Sequence, residues 1–440
     1  MSEIPEVKYA RSVDGIDIAY QAVGDGPVDI VHVSGFVSHL DMIWDIPPMA
    51  ARYHRFSELG RLIAFDKRGT GLSDRTLGFG SAADRMDDIR TVADAAGVDR
   101  AVVHAVSEGG PLALLFAATY PDRVSKLVLY GTFARALRGP DYPYGRDASE
   151  VYPLIDQVAA AWGTGQVIRM FFPDAPDDAL PALARYERAS CTPRMADEIL
   201  RRNVEMDVRE ILPTIAVPTL VVHATGDPIV PIDCARYLAE NIPGARIVEL
   251  DAAIHGSWNM TQQITPEIPK FIGGASPEPD ADRLLATVLF TDIVSSTERA
   301  ASVGDQSWRR LLDDHDRIAR QQMDRFRGRL VNTTGDGLLA TFDGPARAIG
   351  CAQAIHSSVR PLGIDIRAGL HTGEIEMRGQ DITGIGVVIA RRICDRADKG
   401  ELLASRTVKD LVTGSGIAFD PRGQHELKGV PDSWELYAVR

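Results

Sequence analysis

The sequence predicts two domains: an α/β domain with a mostly parallel sheet and a helical lid, then an α+β domain with a mainly antiparallel sheet. Three observations carry this expectation. Short β-branched runs alternate with helical stretches over residues 1–135. The stretch Gly273-Gly-Ala-Ser-Pro-Glu-Pro-Asp-Ala-Asp282 is small, polar and aperiodic, which is linker composition. Beyond it, strand, long helix, hairpin, helix, strand, helix and strand follow one another, an order that suits helices on an antiparallel sheet. The expected boundaries are therefore 1–272, a linker at 273–283, and 284–440.

In the first domain, 28–33, 61–65, 101–106 and 126–130 read as buried strands, and 111–119 as a helix. Residues 136–212 are helical and proline-punctuated, and the β pattern resumes at 219–223 and 245–250. A helical stretch interrupting an α/β sheet is most simply an inserted lid. In the second domain the spacing predicts helices over 308–326 and 345–359 and a strand over 364–370.

Composition narrows the function classes. A net charge of −13 argues against nucleic acid or anionic membrane as a partner, since both need clustered positive charge. Cys191, Cys234, Cys351 and Cys394 show no Cys-x-x-Cys spacing and read as free thiols in a reducing compartment. The polar N-terminus does not resemble a signal peptide, and no apolar run approaches the ~20 residues of a membrane span. A soluble, cytoplasmic protein is expected.

Ala105-Val-Ser107-Glu-Gly109 follows a strand and opens a helix, the context of a nucleophile elbow that lifts a serine hydroxyl above a sheet. Asp227 and His255 follow the two later strands, giving the chain order Ser, Asp, His. His255 would take the Ser107 proton, with Asp227 fixing the imidazole tautomer. Val33-Ser-Gly-Phe36 lies where an oxyanion hole would be built, with the N–H groups of Phe36 and Glu108 as donors. With Phe65-Asp-Lys-Arg-Gly-Thr-Gly-Leu-Ser73, this region resembles the lidded α/β-hydrolase family over residues ~1–272. Two positions depart from its pattern: Ala105 replaces the first elbow glycine, and Ser34 stands where many relatives carry His. Serine at the elbow points to ester, lactone or thioester cleavage, and away from the aspartate chemistry of epoxide hydrolases and haloalkane dehalogenases. The histidines at 32, 104 and 223 read as packing residues.

Asp292 closes the apolar run Val288-Leu-Phe-Thr-Asp292, and Asp336 sits in an expected hairpin turn. Two carboxylates at neighbouring strand ends suit a pair of hard cations beside a nucleoside triphosphate. Together with Asp381-Ile-Thr-Gly384, Ala390-Arg-Arg392 and the ending Glu426-Leu-Lys-Gly-Val430, these segments resemble class III nucleotidyl cyclases across nearly all of 284–440. Similarity is greatest to the mycobacterial-type subgroup in which an α/β-hydrolase domain precedes the cyclase domain.

The resemblance implies conversion of ATP to 3′,5′-cyclic AMP and pyrophosphate. It implies that Asp292, Asp336 and the carbonyl of Ile293 hold two Mg²⁺ or Mn²⁺ ions. Asp381 would accept from the adenine amino group, Arg392 would meet the α-phosphate, and Lys428 would contact the triphosphate. Family sites form between two cyclase domains, so one such domain per chain implies a homodimer. Two positions depart from the family. Asn332 replaces the purine-selecting Lys four residues before Asp336, and Val388 replaces the Asn or His seven residues beyond Asp381. One lost donor costs ~10²–10³ in rate, so a weakened cyclase is expected. Two other readings stand beside it: a serine esterase regulated by a nucleotide-binding cyclase domain, and a signalling scaffold with both sites degraded.

Overall fold

The structure, a computed structural model, describes residues 4–75, 80–258, 265–274, 283–333, 335–379 and 381–440. The chain divides into two compact units, Met1–Ala281 and Asp282–Arg440. Most of the expected linker, and Thr334 of the hairpin turn, lie outside the described residues. Gly273, the first residue of that linker, instead ends the helix Glu267–Gly273.

The first unit is built on eight strands: β1 (Lys8–Arg11), β2 (Asp17–Val23), β3 (Asp29–Val33), β4 (Arg61–Phe65), β5 (Ala101–Val106), β6 (Val124–Tyr130), β7 (Thr219–Ala224) and β8 (Arg246–Leu250). Their order is β1-β2-β4-β3-β5-β6-β7-β8. From β4 to β8 every pairing is parallel, while β1 and β2 join antiparallel at one edge. The central strands are covered on both faces, so β5 (Ala-Val-Val-His-Ala-Val) is a continuous buried run without alternation. The helix after it, Gly110–Thr119, is buried at all of its positions because its sequence Gly-Pro-Leu-Ala-Leu-Leu-Phe-Ala-Ala-Thr has no polar face.

Between β6 and β7 the chain forms the helices Ala148–Ala161, Gln166–Phe171, Leu180–Ser190 and Pro193–Val204. Pro193–Val204 starts where Thr192 accepts the Met195 N–H, with proline in the first turn. It buries Met195, Ala196, Ile199 and Asn203.

The second unit carries β9 (Arg283–Ile293), β10 (Arg329–Thr333), β11 (Gly337–Phe342), β12 (Ile366–Arg378), β13 (Asp381–Thr383), β14 (Leu402–Ser405), β15 (Phe419–Glu426) and β16 (Ser433–Val439). The path is β10-β11-β9-β12-β14-β16-β15, with β13 paired to β12. Only β12 with β14 is parallel among these pairings. Alternation along β9 serves two cores: Leu289 and Ile293 pack with Ala319, Met323 and Ile349, whereas Val288 and Phe290 pack with Ala390 and Cys394. The long helix spans Asp305–Arg325, slightly earlier than expected, and is preceded by a shorter one, Ser296–Val303. The strand expected at 364–370 runs from 366 to 378. Among the described residues no helix is long and apolar enough to cross a membrane.

Candidate active sites

The first site grows from the end of β5. Ser107 has φ of +53°, a left-handed conformation that a non-glycine residue adopts only under tertiary constraint. The constraint is visible in its neighbours. A Cβ on Gly109 would lie 2.7 Å from the carbonyl oxygens of Val33 and Ser34, so the turn can be this tight only with glycine there. Ala105, wholly buried, fits at the other elbow position.

His255 and Asp227 meet as the chain order predicted: Nδ1 lies 2.8 Å from Oδ2 of Asp227. The other carboxylate oxygen, Oδ1, accepts the backbone N–H groups of Ile229 and Val230 at 2.8 and 3.0 Å. Asp227 is thereby held as an acceptor, which leaves Nε2 of His255 as the ring's working nitrogen. His223 is more than packing. Its Nε2 donates to the Val230 carbonyl at 2.9 Å and stands 3.5 Å from Asp227 Oδ2, while burial lowers its pKa and keeps it neutral. Ser107, His255, Ser34 and Phe36 line one cavity, with Arg52 and Tyr186 also on its wall.

A buried network behind the elbow went unread in the sequence. Lys67 Nζ donates to the carbonyls of Ser34 and Gly35, at 3.1 and 2.5 Å, and to the Glu108 carboxylate. Asn203, from the inserted helices, donates to the second Glu108 oxygen at 2.7 Å. Burial lowers the Lys67 pKa, and the Glu108 charge opposes that shift. Lys67 thus ties the Ser34–Phe36 loop to the residue after the nucleophile, the two segments that carry the candidate oxyanion-hole N–H groups. The signal was present in Asp66-Lys-Arg-Gly69, but the partner lies 41 residues away.

In the second unit, β11 sits antiparallel on β9 with Gly337 opposite Asp292. That register sets Asp336, in the β10–β11 turn, beside Asp292, and the Ile293 N–H donates to the Asp336 carbonyl at 3.0 Å. On the other side Arg367 of β12 is the cross-strand partner of Asp292, and its Nε and Nη2 donate to Oδ2 at 2.9 and 2.5 Å. Burial works against the Arg367 charge, but the hydrogen bond to Asp292 and the Asp292 charge together outweigh it and raise its pKa. Arg367 is a site residue that periodicity could not reveal, because only strand register brings it to Asp292.

The donor set is all oxygen: two carboxylates and the Ile293 carbonyl. No group of three His, Cys, Asp or Glu side chains forms a metal cage among the described residues. Hard cations arriving with a nucleotide fit such a set, since phosphate and water oxygens complete their shells.

The remaining predicted residues lie elsewhere on the domain. Asn332 is exposed on β10, and Asp381 is exposed at the start of β13, its Oδ1 accepting the Ile382 N–H at 2.9 Å. Val388 (39% exposed) and Arg392 share the helix Ile385–Arg396. Arg392 Nε donates to the Lys428 carbonyl at 3.0 Å, so these two residues do come together. Asp292 and Asp381 do not. Asp292 pairs with Arg367 near the start of β12, and Asp381 pairs with Arg378 at its far end.

Comparison with known proteins agrees with both folds. Residues 31–257 match the alpha/beta hydrolase fold, and residues 282–440 match the adenylate and guanylate cyclase catalytic domain. A RutD protein of Caulobacter sp. strain K31 is 32% identical over 263 residues, spanning 57% of this chain and 91% of its own length. A pimeloyl-[acyl-carrier protein] methyl ester esterase of Neisseria meningitidis serogroup B (strain MC58) is 32% identical over 181 residues, 40% of this chain and 70% of that protein. The solved esterase of Exiguobacterium antarcticum superposes with a TM-score of 0.51 at 24% identity, covering 61% of this chain and 97% of that one, a likeness of fold. The chain belongs to the α/β-hydrolase fold family and carries, after that domain, a class III adenylate/guanylate cyclase catalytic domain.

Proposed function

We propose that this protein is an adenylate cyclase converting ATP to 3′,5′-cyclic AMP and pyrophosphate at a homodimer interface in the cytoplasm. The observation that carries the reading is the pairing of the segments that bear Asp292 and Asp336: Gly337 lies opposite Asp292, and the Ile293 N–H donates to the Asp336 carbonyl. These carboxylates and the Ile293 carbonyl would hold two Mg²⁺ or Mn²⁺ ions. Such ions, when bound, polarise the α-phosphate and neutralise developing charge on pyrophosphate. The ribose 3′-oxygen bonds to the α-phosphorus as the bond to the β-phosphate breaks, and the hydroxyl proton passes to water. Arg392 meets the charge gained by the α-phosphate, and Lys428 the triphosphate. Asp381 accepts from the adenine amino group, and Asn332 donates to the ring nitrogen beside it. The amide can also accept, so discrimination against GTP is loosened. Because Asp292 and Asp381 sit at opposite ends of β12, a second copy of the chain supplies the purine half of each site.

Val388 offers no hydrogen bond where the family places a donor, so turnover is low. Val388→Asn or Val388→His should raise cyclic AMP formation by roughly two orders of magnitude or more at unchanged metal dependence. Asp292→Ala should abolish it. Cyclic AMP production that survives Asp292→Ala would falsify the two-cation assignment.

A second activity is favoured by the strained Ser107 beside the 2.8 Å His255–Asp227 pair. Ser107 Oγ attacks an ester carbonyl while His255 takes its proton. His255 then returns the proton to the departing alcohol, and water releases the acid from Ser107. Ser107→Ala should remove ester cleavage and leave the Asp292-dependent activity in place.

A further inference from the structure

Beside the Ser107 cavity lies a second chamber, lined by the inserted helices. Ile155 and Val158 of Ala148–Ala161, and Leu200 and Val204 of Pro193–Val204, line it. The two chambers share Phe36, Ser107 and Phe171, so the nucleophile stands at the junction.

What decides the ligand is how the polar residues on this wall are engaged. Glu108 accepts from Lys67 and from Asn203. Asn203 Oδ1 accepts from Arg85 at 2.7 Å, so both ends of its amide are taken. Arg146 donates to the carbonyls of Ile229 and Pro228, and Cys234 Sγ to that of Tyr144. A polar ligand entering here would give up water and find most of these donors and acceptors already bonded within the protein. An apolar one would give up nothing. A second observation agrees: Leu154 and Met170, each 37% exposed, lie on the same lining and present apolar surface to solvent.

We propose that this chamber binds the straight aliphatic arm of a fatty-acyl-type ester, with the ester carbonyl at Ser107. The binding rests on the chamber alone; cleavage of what is bound rests on the esterase reading above. Each methylene buried in such a chamber should tighten binding by up to about fourfold until the space is filled.

The test uses the full chain carrying Ser107→Ala, titrated calorimetrically with methyl esters from butyrate to decanoate and with monomethyl succinate as a polar probe. Affinity should climb with chain length, and monomethyl succinate should bind no better than methyl butyrate. Leu200→Trp and, independently, Val158→Phe should weaken methyl decanoate at least tenfold while leaving methyl butyrate unchanged. Thermal unfolding identifies a variant that has lost its fold, and the other then decides. Affinity indifferent to chain length, or unmoved in a folded filling variant, overturns the proposal. Parallel assays with Ser107 present separate the two claims. Esters bound by length but never cleaved leave the chamber standing and remove the esterase. Cleavage with no preference for chain length keeps the esterase and removes the chamber.

Discussion

His32 and His104 face each other inside the first unit's sheet, Nδ1 to Nδ1 at 2.9 Å with their rings stacked. One ring must donate and the other accept, so the pair is neutral, and a proton added to either would be buried. Burial pushes His104 down to about 3 and His32 well below its ordinary value. In the second unit His371, hydrogen-bonded to Ser405 at 2.9 Å, is pushed down to about 3 by burial alone. The unfolded chain takes up protons below about pH 6.5 that the folded chain refuses, so stability present at neutral pH is lost as the medium is acidified. Each such histidine should cost roughly 2 kcal/mol between pH 7 and 5. Scanning calorimetry of the whole chain should show the melting temperature falling over that range. His371→Gln should shallow the fall for the second unit's transition, and a slope unchanged by it would remove His371 from this account.

At the scale of elements, the elbow is the most exacting piece of local structure. Gly109→Ala sets a methyl against two carbonyl oxygens at 2.7 Å, so the loop or β3 must shift. A loss of about 1–3 kcal/mol is expected, together with most Ser107-dependent ester cleavage. Gly273→Ala, where a Cβ meets nothing within 4 Å, is the matched control and should leave the melting temperature unchanged. Elements of this kind were the legible ones. β3 to β8 announce themselves as β-branched runs, and the elbow as a small-residue turn between strand and helix. β1 escaped because Lys-Tyr-Ala-Arg, at the sheet edge, buries a single side chain, and edge strands carry little hydrophobic signal; β2 escaped although it buries four residues in a row. The far half of β12 escaped because His371-Thr-Gly-Glu374 looks like a turn, yet β9 pairs with it as far as Glu376. Residue roles that depend on register or on distant partners, Arg367 on Asp292 and Asn203 on Glu108, have no local signature at all.

The molecule as a whole joins two chemistries in one chain, and the proposed cyclase needs two chains. Specific cyclic AMP formation should therefore fall on dilution, while ester cleavage per chain should not. A sharper check mixes Asp292→Ala with Asp381→Ala, each inactive alone. Half of the random dimers would be mixed, and each would hold one complete site, so about a quarter of the parent activity should return. No recovery after verified subunit exchange would mean that both halves of a site come from one chain. The Lys67–Glu108 bridge has a consequence on a longer timescale. Losing either buried charge alone leaves the other without its nearest counter-charge, and losing both leaves the Ser34 and Gly35 carbonyls and the Asn203 amide short of a partner. In descendants of this sequence positions 67 and 108 should therefore change as a couple or not at all, and a lineage that swaps one charge should be caught carrying a compensating change at the other.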